Sequence, residues 1–266
     1  MLKLVTIRFS HYNEKARWVL DRFGVPYKEK GYMPTFHFFG VWRHTLGKQA
    51  GKSDRISTKY STPLLLLENG DCIQDSSEIV QYISKNYGDS ETSLYPIPEA
   101  LELEKYYHDR LGPHTRRIAY YFVLQKPELL LFMAKHNVGW AQALLARLTL
   151  PVGRRMLSKG LGVNQKGFEK SLEYVRKEFL LAEEQLEDKQ YLLGDRFTAA
   201  DLAFACMGSL AVLPSVEDGY SATLPPIEMF SEEAQALIKE MRASKMGQYI
   251  LRMFREERGK RLIPYR

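Results

Sequence analysis

Short apolar runs of strand length fill the first third of the chain, and long segments of helical period fill the rest. Residues 2–9 form a β-rich run. From Ser10 the period becomes that of a helix, with Ala16, Val19, Leu20 and Phe23 on one side, and Gly24 ends it. Residues 25–29 predict a second strand, which makes a βαβ unit. Four leucines at 64–67, the pair Asn69-Gly70 and a run at 71–74 predict two more strands. The expected connection is a type I′ hairpin, whose central residues both need φ > 0. The helix that follows carries Ile79, Tyr82 and Ile83 at spacings that give one buried face, with Asp75 or Ser76 as its cap.

A βαβ unit followed by ββα is the thioredoxin-like arrangement, so residues 1–88 are expected to form an α/β thioredoxin-like N-terminal domain. Around 88–98 the sequence GDSETSLYPIP turns to proline and turn signals, and 89–98 reads as a linker. Residues 99–266 predict an all-α helical bundle, with helices at 99–125, 127–148, 167–187, 198–213 and 231–258. Within it, LLGDRFTAADLAFA (192–205) is the most specific local signal. Thr198 with Asp201 makes a capping box, and Phe197 with Leu202 makes the hydrophobic staple around it. Residues 30–60 form an unusually long stretch without clear period. Its aromatics, Phe36, Phe38, Phe39 and Trp42, either line a pocket or pack under the sheet, and the stretch has room for a short helix.

Composition narrows the class. With 266 residues and 45% hydrophobic content, the chain can bury one large or two modest cores. No run approaches 18 apolar residues, and MLKLVTIRF lacks the long apolar segment of a signal peptide. A cytoplasmic protein without a membrane partner is expected. Cys72 and Cys206 stand far apart in apolar settings and read as reduced, buried thiols. The six histidines show no metal-ligand spacing, so no metal is expected. The net charge of +6 comes from 38 basic and 32 acidic residues, concentrated at 43–59 and 242–266. Glu256 and Glu257 interrupt the basic tail, which reads mostly as a solvated helix face. Nucleic acid is not the expected partner.

Two places carry candidate chemistry. The turn after the first strand, FSHYNEKARW (9–18), is where a helix N-terminus stabilises an anion. The two positions of a C-x-x-C are held by Ser10 and Asn13, which excludes thiol-disulfide exchange by the protein there. Ser10 is either the helix N-cap alone or a hydrogen-bond donor to a bound group, and His11, Tyr12 and Asn13 compete for that contact. The second place combines Thr62, Pro63, Asp75 and Ser76. A proline at a strand start, cis or trans, needs no ladder donor. Helix amides with Ser76 suit a carboxylate, Asp75 an ammonium, and the Thr62 backbone a peptide N–H. A plain capping role for Asp75 and Ser76 is the alternative.

These residues resemble the glutathione-binding segment of the glutathione S-transferase superfamily, with its proline loop, hairpin and acid-serine pair. Residues 192–205 resemble the N-capping box of that superfamily's C-terminal domain. Some relatives resembling the SHY-x-EKARW pattern carry cysteine where Asn13 stands. The resemblance implies an enzyme that binds glutathione as co-substrate, with Thr62, Pro63, Asp75 and Ser76 in its binding site. It implies that Ser10, or else Tyr12 or Asn13, meets the thiol, that an apolar small-molecule electrophile lies against the helical domain, and that the protein is a homodimer active in detoxification. A non-catalytic binding or protein-interaction module on the same fold is the rival reading. The resemblance leaves residues 30–60 and 131–167 unassigned.

Overall fold

The computed structural model describes residues 1–46 and 59–260. Strands β1 (Leu2–Thr6) and β2 (Tyr27–Gly31) flank helix α1 (His11–Arg22) and pair in parallel. After α2 (His37–Thr45), β3 (Leu64–Leu66) and β4 (Cys72–Gln74) add antiparallel neighbours, giving the sheet order β2-β1-β3-β4. With α3 (Ser76–Tyr87) this is the expected βαβ-ββα arrangement.

Two local expectations shift. β2 starts at Tyr27 rather than at residue 25, because the Val25 N–H bonds back to Leu20 O at 2.9 Å and Pro26 has no donor. The β3–β4 hairpin forms, but Asn69 does not adopt the positive φ of a type I′ turn. Instead the Gly70 N–H closes a turn onto Leu67 O at 3.2 Å, and Gly70 alone takes φ +94°. That is a turn followed by a left-handed glycine, the longer alternative for a hairpin loop.

Beyond residue 97 the described chain is helical: α4 (Pro98–Val123), α5 (Pro127–Asn137), α6 (Trp140–Leu148), α7 (Leu150–Gly160), α8 (Gln165–Leu186), α9 (Ala199–Val212), α10 (Glu232–Ala243) and α11 (Lys245–Glu256). Residues 127–148, expected as one helix, break at Val138-Gly139 into α5 and α6. Residues 231–258 break at Ser244, whose Oγ accepts from the Gly247 N–H at 3.0 Å and caps α11. A Cβ on Gly247 would stand 1.8 Å from Met241 O, so this corner admits only glycine. Of the 30–60 stretch, α2 supplies the short helix, while residues 47–58 lie outside the described residues.

Helix α9 is the centre of the helical half, packed on α4, α8's neighbour α11, α10 and, across the two halves, α1. Its start is fixed as expected. The Asp201 carboxylate accepts from the N–H groups of Thr198 (2.7 Å) and Leu192 (2.8 Å) and from the Tyr249 hydroxyl (2.6 Å). Phe197 and Leu202 are buried in the same core. Both cysteines are buried and free of disulfides.

Helix α1 departs from its expected one-sided pattern. It is buried nearly all round, Glu14, Lys15, Arg17 and Arg22 included. Buried charges need partners, and these come from remote chain: Glu104 for Lys15, Arg258 for Glu14, and Glu257 for Arg22. Glu257 and Arg258 therefore lie inside the protein, against the reading of that tail as a solvated face. Residues 261–266 lie outside the described residues.

Candidate functional site

Ser10 occupies the N-cap position of α1, with extended backbone angles (φ −80°, ψ 132°), yet its hydroxyl makes no capping hydrogen bond. The half-buried side chain lines a cavity of about 570 Å³ between the two halves. The thioredoxin-like half contributes Ile7, Phe9, Ser10, Tyr12, Ser61 and Thr62 to its wall. The helical half contributes mainly aliphatic and aromatic side chains of α4, α7, α9 and α10, with Arg116 as the exception. Size and lining suit an apolar small molecule with a few polar anchors.

Of the other candidates at the turn, His11 and Tyr12 also line the cavity, but each has a hydrogen bond to α4, and Asn13 lies behind them. His11 Nε2 donates to Gly112 O at 3.1 Å, which leaves Nδ1 without the proton in the neutral ring. Burial, then the charge of Arg116, pushes the His11 pKa well below its ordinary value. Tyr12 lines the cavity, but its hydroxyl donates to His108 O on α4 (3.3 Å), and its ring packs on His108 and under Arg116. Gly112 is what allows that approach, since a Cβ there would stand 2.5 Å from the Tyr12 oxygen. Asn13 is fully buried; its Nδ2 donates to Thr62 Oγ1 at 3.3 Å, and its Oδ1 is buried without a partner. It ties α1 to the proline loop and does not line the cavity.

The Thr62–Pro63 peptide bond is cis. Gln74 Nε2 holds the loop by donating to Ser61 O at 2.8 Å, and the Asp75 N–H donates to Pro63 O at 3.3 Å. Asp75 itself sits at φ +90°, the left-handed region that a non-glycine residue occupies only under constraint. It caps α3 by accepting from the Ser77 N–H at 2.7 Å.

Asp75 and Ser76 lie under α4 and do not line the cavity. His108 Nε2 approaches the Asp75 carboxylate at 3.4 Å, and His108 Nδ1 is 3.4 Å from Ser76 Oγ and 2.9 Å from Ser77 Oγ. The Lys15 ammonium joins this cluster, donating to Ser77 Oγ at 2.8 Å and pairing closely with Glu104. Burial alone would raise the carboxylic pKa values here. His108 and Lys15 with Ser77 together outweigh it, His108 leading at Asp75 and Lys15 at Glu104, so both lie below the ordinary range. The α3 N-terminus is thus wired to α1 and α4 by charge.

The structure brings Ser10, His11, Tyr12 and Thr62 to one cavity, and gathers Asp75 and Ser76 in an adjoining buried cluster with residues that the sequence reading left out. Those are Lys15, Glu104 and His108. Glu104 and His108 stand four apart on α4, an i,i+4 spacing that marks one helix face, but nothing local says which element that face meets.

Fold and site together define a protein with a thioredoxin-like half and a helical half that meet over an apolar cavity. Residues 4–91 match the glutathione S-transferase N-terminal domain and residues 137–225 match the glutathione S-transferase C-terminal domain. The chain belongs to the glutathione S-transferase superfamily. A solved glutathione S-transferase of Ceriporiopsis subvermispora in complex with glutathione is similar at 18% identity (TM-score 0.55, covering 95% of this chain and 94% of that one). One of Methylobacterium radiotolerans in complex with glutathione sulfonate is similar at 16% (TM-score 0.52, 100% and 95%). The beta-etherase of Sphingobium sp. is similar at 15% (TM-score 0.54, 94% and 98%). No curated protein sequence matches the chain.

Proposed function

We propose that this protein is a glutathione transferase that binds glutathione, stabilises its thiolate and transfers it to an apolar electrophile held in the interdomain cavity. The observation that carries the reading is Ser10: an N-cap residue whose hydroxyl is not spent on the cap and which lines an apolar cavity at a helix N-terminus. A free thiol has a pKa of about 8.5, so lowering it by roughly two units needs about 2.7 kcal/mol. A hydrogen bond to a charged acceptor contributes about 1.5–3 kcal/mol and a helix N-terminus about 0.3–1. Ser10 and the α1 amides together are sufficient without a catalytic base. The Thr62 backbone pairs with the peptide, and the α3 N-terminus with Asp75 and Ser76 takes its amino-acid end once the His108 contacts that cover them have opened. Catalysis is positioning and thiolate stabilisation. The working unit is a cytoplasmic homodimer with a detoxifying role. The domain limits are 1–88 and 99–266, joined by the linker 89–98.

A second reading, a glutathione-fold binding or interaction module without turnover, is favoured by the cover that His108 places over Asp75 and Ser76. Calorimetric titration of glutathione in two buffers of different ionisation enthalpy separates the two. Binding with proton release supports the transferase, binding without release supports a glutathione-binding module, and absence of binding removes both of these and the Asp75-Ser76 reading, leaving the fold and an interaction module on it.

A further inference from the structure

Helices α6 and α7 contain no buried residue. Along them Trp140 (82% exposed), Leu144, Leu148 (70%), Val152 (63%) and Met156 recur every fourth residue and all face solvent. Helical hydrogen bonds flank the junction, from the Thr149 N–H to Leu145 O and from the Gly153 N–H to Thr149 O, so the apolar row runs through both helices. The inner side is held by few ties: Gln142 Nε2 donates to Gly31 O at 3.1 Å, and Arg154 donates to Leu124 O. Beside the row stand exposed Arg147, Arg155 and Lys159, and between Glu128 and Glu169 the sequence contains no acidic residue.

We propose that the α6–α7 face docks on an anionic lipid bilayer surface. An amphipathic helix pair with tryptophan and leucine on one face and arginine and lysine beside them lies in the plane of the interface, its apolar side among the acyl chains. The cations then meet anionic headgroups. Charge decides against a second copy of this chain, because a two-fold contact would set the same arginines and lysines against each other. No helix among the described residues is long and apolar enough to cross a membrane, so the contact is peripheral. Met156 on α7 and Phe38 on α2 both line the cavity and are both exposed, so the cavity's rim and the docking face share a side chain. A lipophilic molecule dissolved in the bilayer reaches the cavity at that rim.

The test uses the full chain with vesicles of phosphatidylcholine, and of phosphatidylcholine mixed with phosphatidylserine, read by co-sedimentation and by tryptophan quenching with lipids brominated in their acyl chains. The expected result is partition onto the mixed vesicles that weakens with salt, with quenching that is reduced in Trp140→Phe. Arg155→Gln with Lys159→Gln lowers the partition coefficient about thirtyfold. Leu148→Ser with Val152→Ser lowers it as well, and both pairs keep the native circular dichroism and melting temperature because these side chains are exposed. Absence of partition at low salt overturns the proposal, as does partition that neither pair of substitutions changes. Conversion of a dimer to a monomer by Leu148→Ser, with partition unchanged, assigns the face to a second copy and overturns it too.

Discussion

Removing the Glu104 carboxylate tests how the α3 N-terminus is wired to the rest of the molecule. Lys15 and Glu104 are both fully buried, and their ion pair joins α1 of one half to α4 of the other. In Glu104→Leu the Lys15 ammonium keeps only the Ser77 hydroxyl at 2.8 Å and His108 Nδ1 at 3.1 Å. Breaking one side of a buried pair costs about 3–5 kcal/mol, because the surviving charge has lost its direct counter-ion in a site without water. Removing both charges is different: Lys15→Met with Glu104→Leu fills similar volume with apolar atoms, and such replacements are often neutral or better. The double variant is therefore expected within about 1 kcal/mol of the parent, with Ser77 Oγ still 2.9 Å from His108 Nδ1. Urea unfolding followed by circular dichroism gives the three stabilities. The reasoning is refuted if Glu104→Leu costs less than about 1 kcal/mol, or if the double variant is no more stable than the single one.

Ser10→Ala should raise the thiol pKa of bound glutathione by about 1–2 units, the loss of one charge-assisted hydrogen bond, whereas Tyr12→Phe should leave it unchanged because that hydroxyl donates to His108 O; ultraviolet absorbance of the thiolate against pH reads both. Acidification should destabilise the fold in two stages, seen in urea midpoints. His11, and His37, which burial holds down to about 4, bind protons in the unfolded chain first, so stability falls from about pH 6.5 downward. Burial would raise Glu14, but Arg17 and Arg258 outweigh it and bring it to about 2, and Asp75 and Glu104 are depressed as well. The stability these carboxylates contribute is present above about pH 4.3 and is lost below it, and a midpoint that rises between pH 7 and 5 would contradict this. Gly112→Ala should lower stability by about 1–3 kcal/mol through overpacking, since its Cβ would meet the Tyr12 oxygen at 2.5 Å and the Met207 sulfur at 2.6 Å; an unchanged melting temperature would show that the contact yields freely.

Local chemistry made the βαβ-ββα half and the start of α9 legible, because strand runs, a glycine turn and a capping box are decided by neighbours in sequence. The site was legible only in part. Ser10 and Thr62 were legible as two separate places, a helix start and a proline loop, and only the family resemblance joined them. Lys15, Glu104 and His108 were not legible, because a charged residue in an amphipathic pattern looks solvated unless its partner is known, and here the partners lie about 90 residues away. The same blindness hid Arg258, read as part of a solvated tail, which reaches Glu14 at 2.7 Å and Asp21 at 2.7 Å. Residues 131–167 defeated the reading for the opposite reason. Their apolar side chains carry a helical period, but in α6 and α7 that period marks an outer face rather than a core.

Helix α1 explains why these parts act together. Its N-terminus presents Ser10 to the cavity, one flank carries Lys15 to the α3–α4 cluster, and another carries Glu14 and Arg17 to Glu29 and Arg258. An element anchored on opposite flanks by buried ion pairs cannot rotate to re-aim its first residue without exposing a charge to an apolar interior, at a cost of several kcal/mol per ion. Preorganisation of this kind is what thiolate stabilisation needs, since a hydroxyl free to turn away spends part of its hydrogen-bond energy on being ordered. The charge clusters and the proposed chemistry are thus linked through geometry: Glu14→Gln, which alters a carboxylate bound to Arg17, Arg258 and Ser221 and leaves the backbone bond from the Glu14 N–H to Ser10 O in place, is expected to lower thiolate formation as well as stability. Measured under strongly native conditions, the thiol pKa of bound glutathione should rise in that variant by a fraction of the Ser10→Ala effect. If Glu14→Gln destabilises the fold and leaves that pKa unmoved, α1 is a rigid support only, and the aim of Ser10 is set by its own turn.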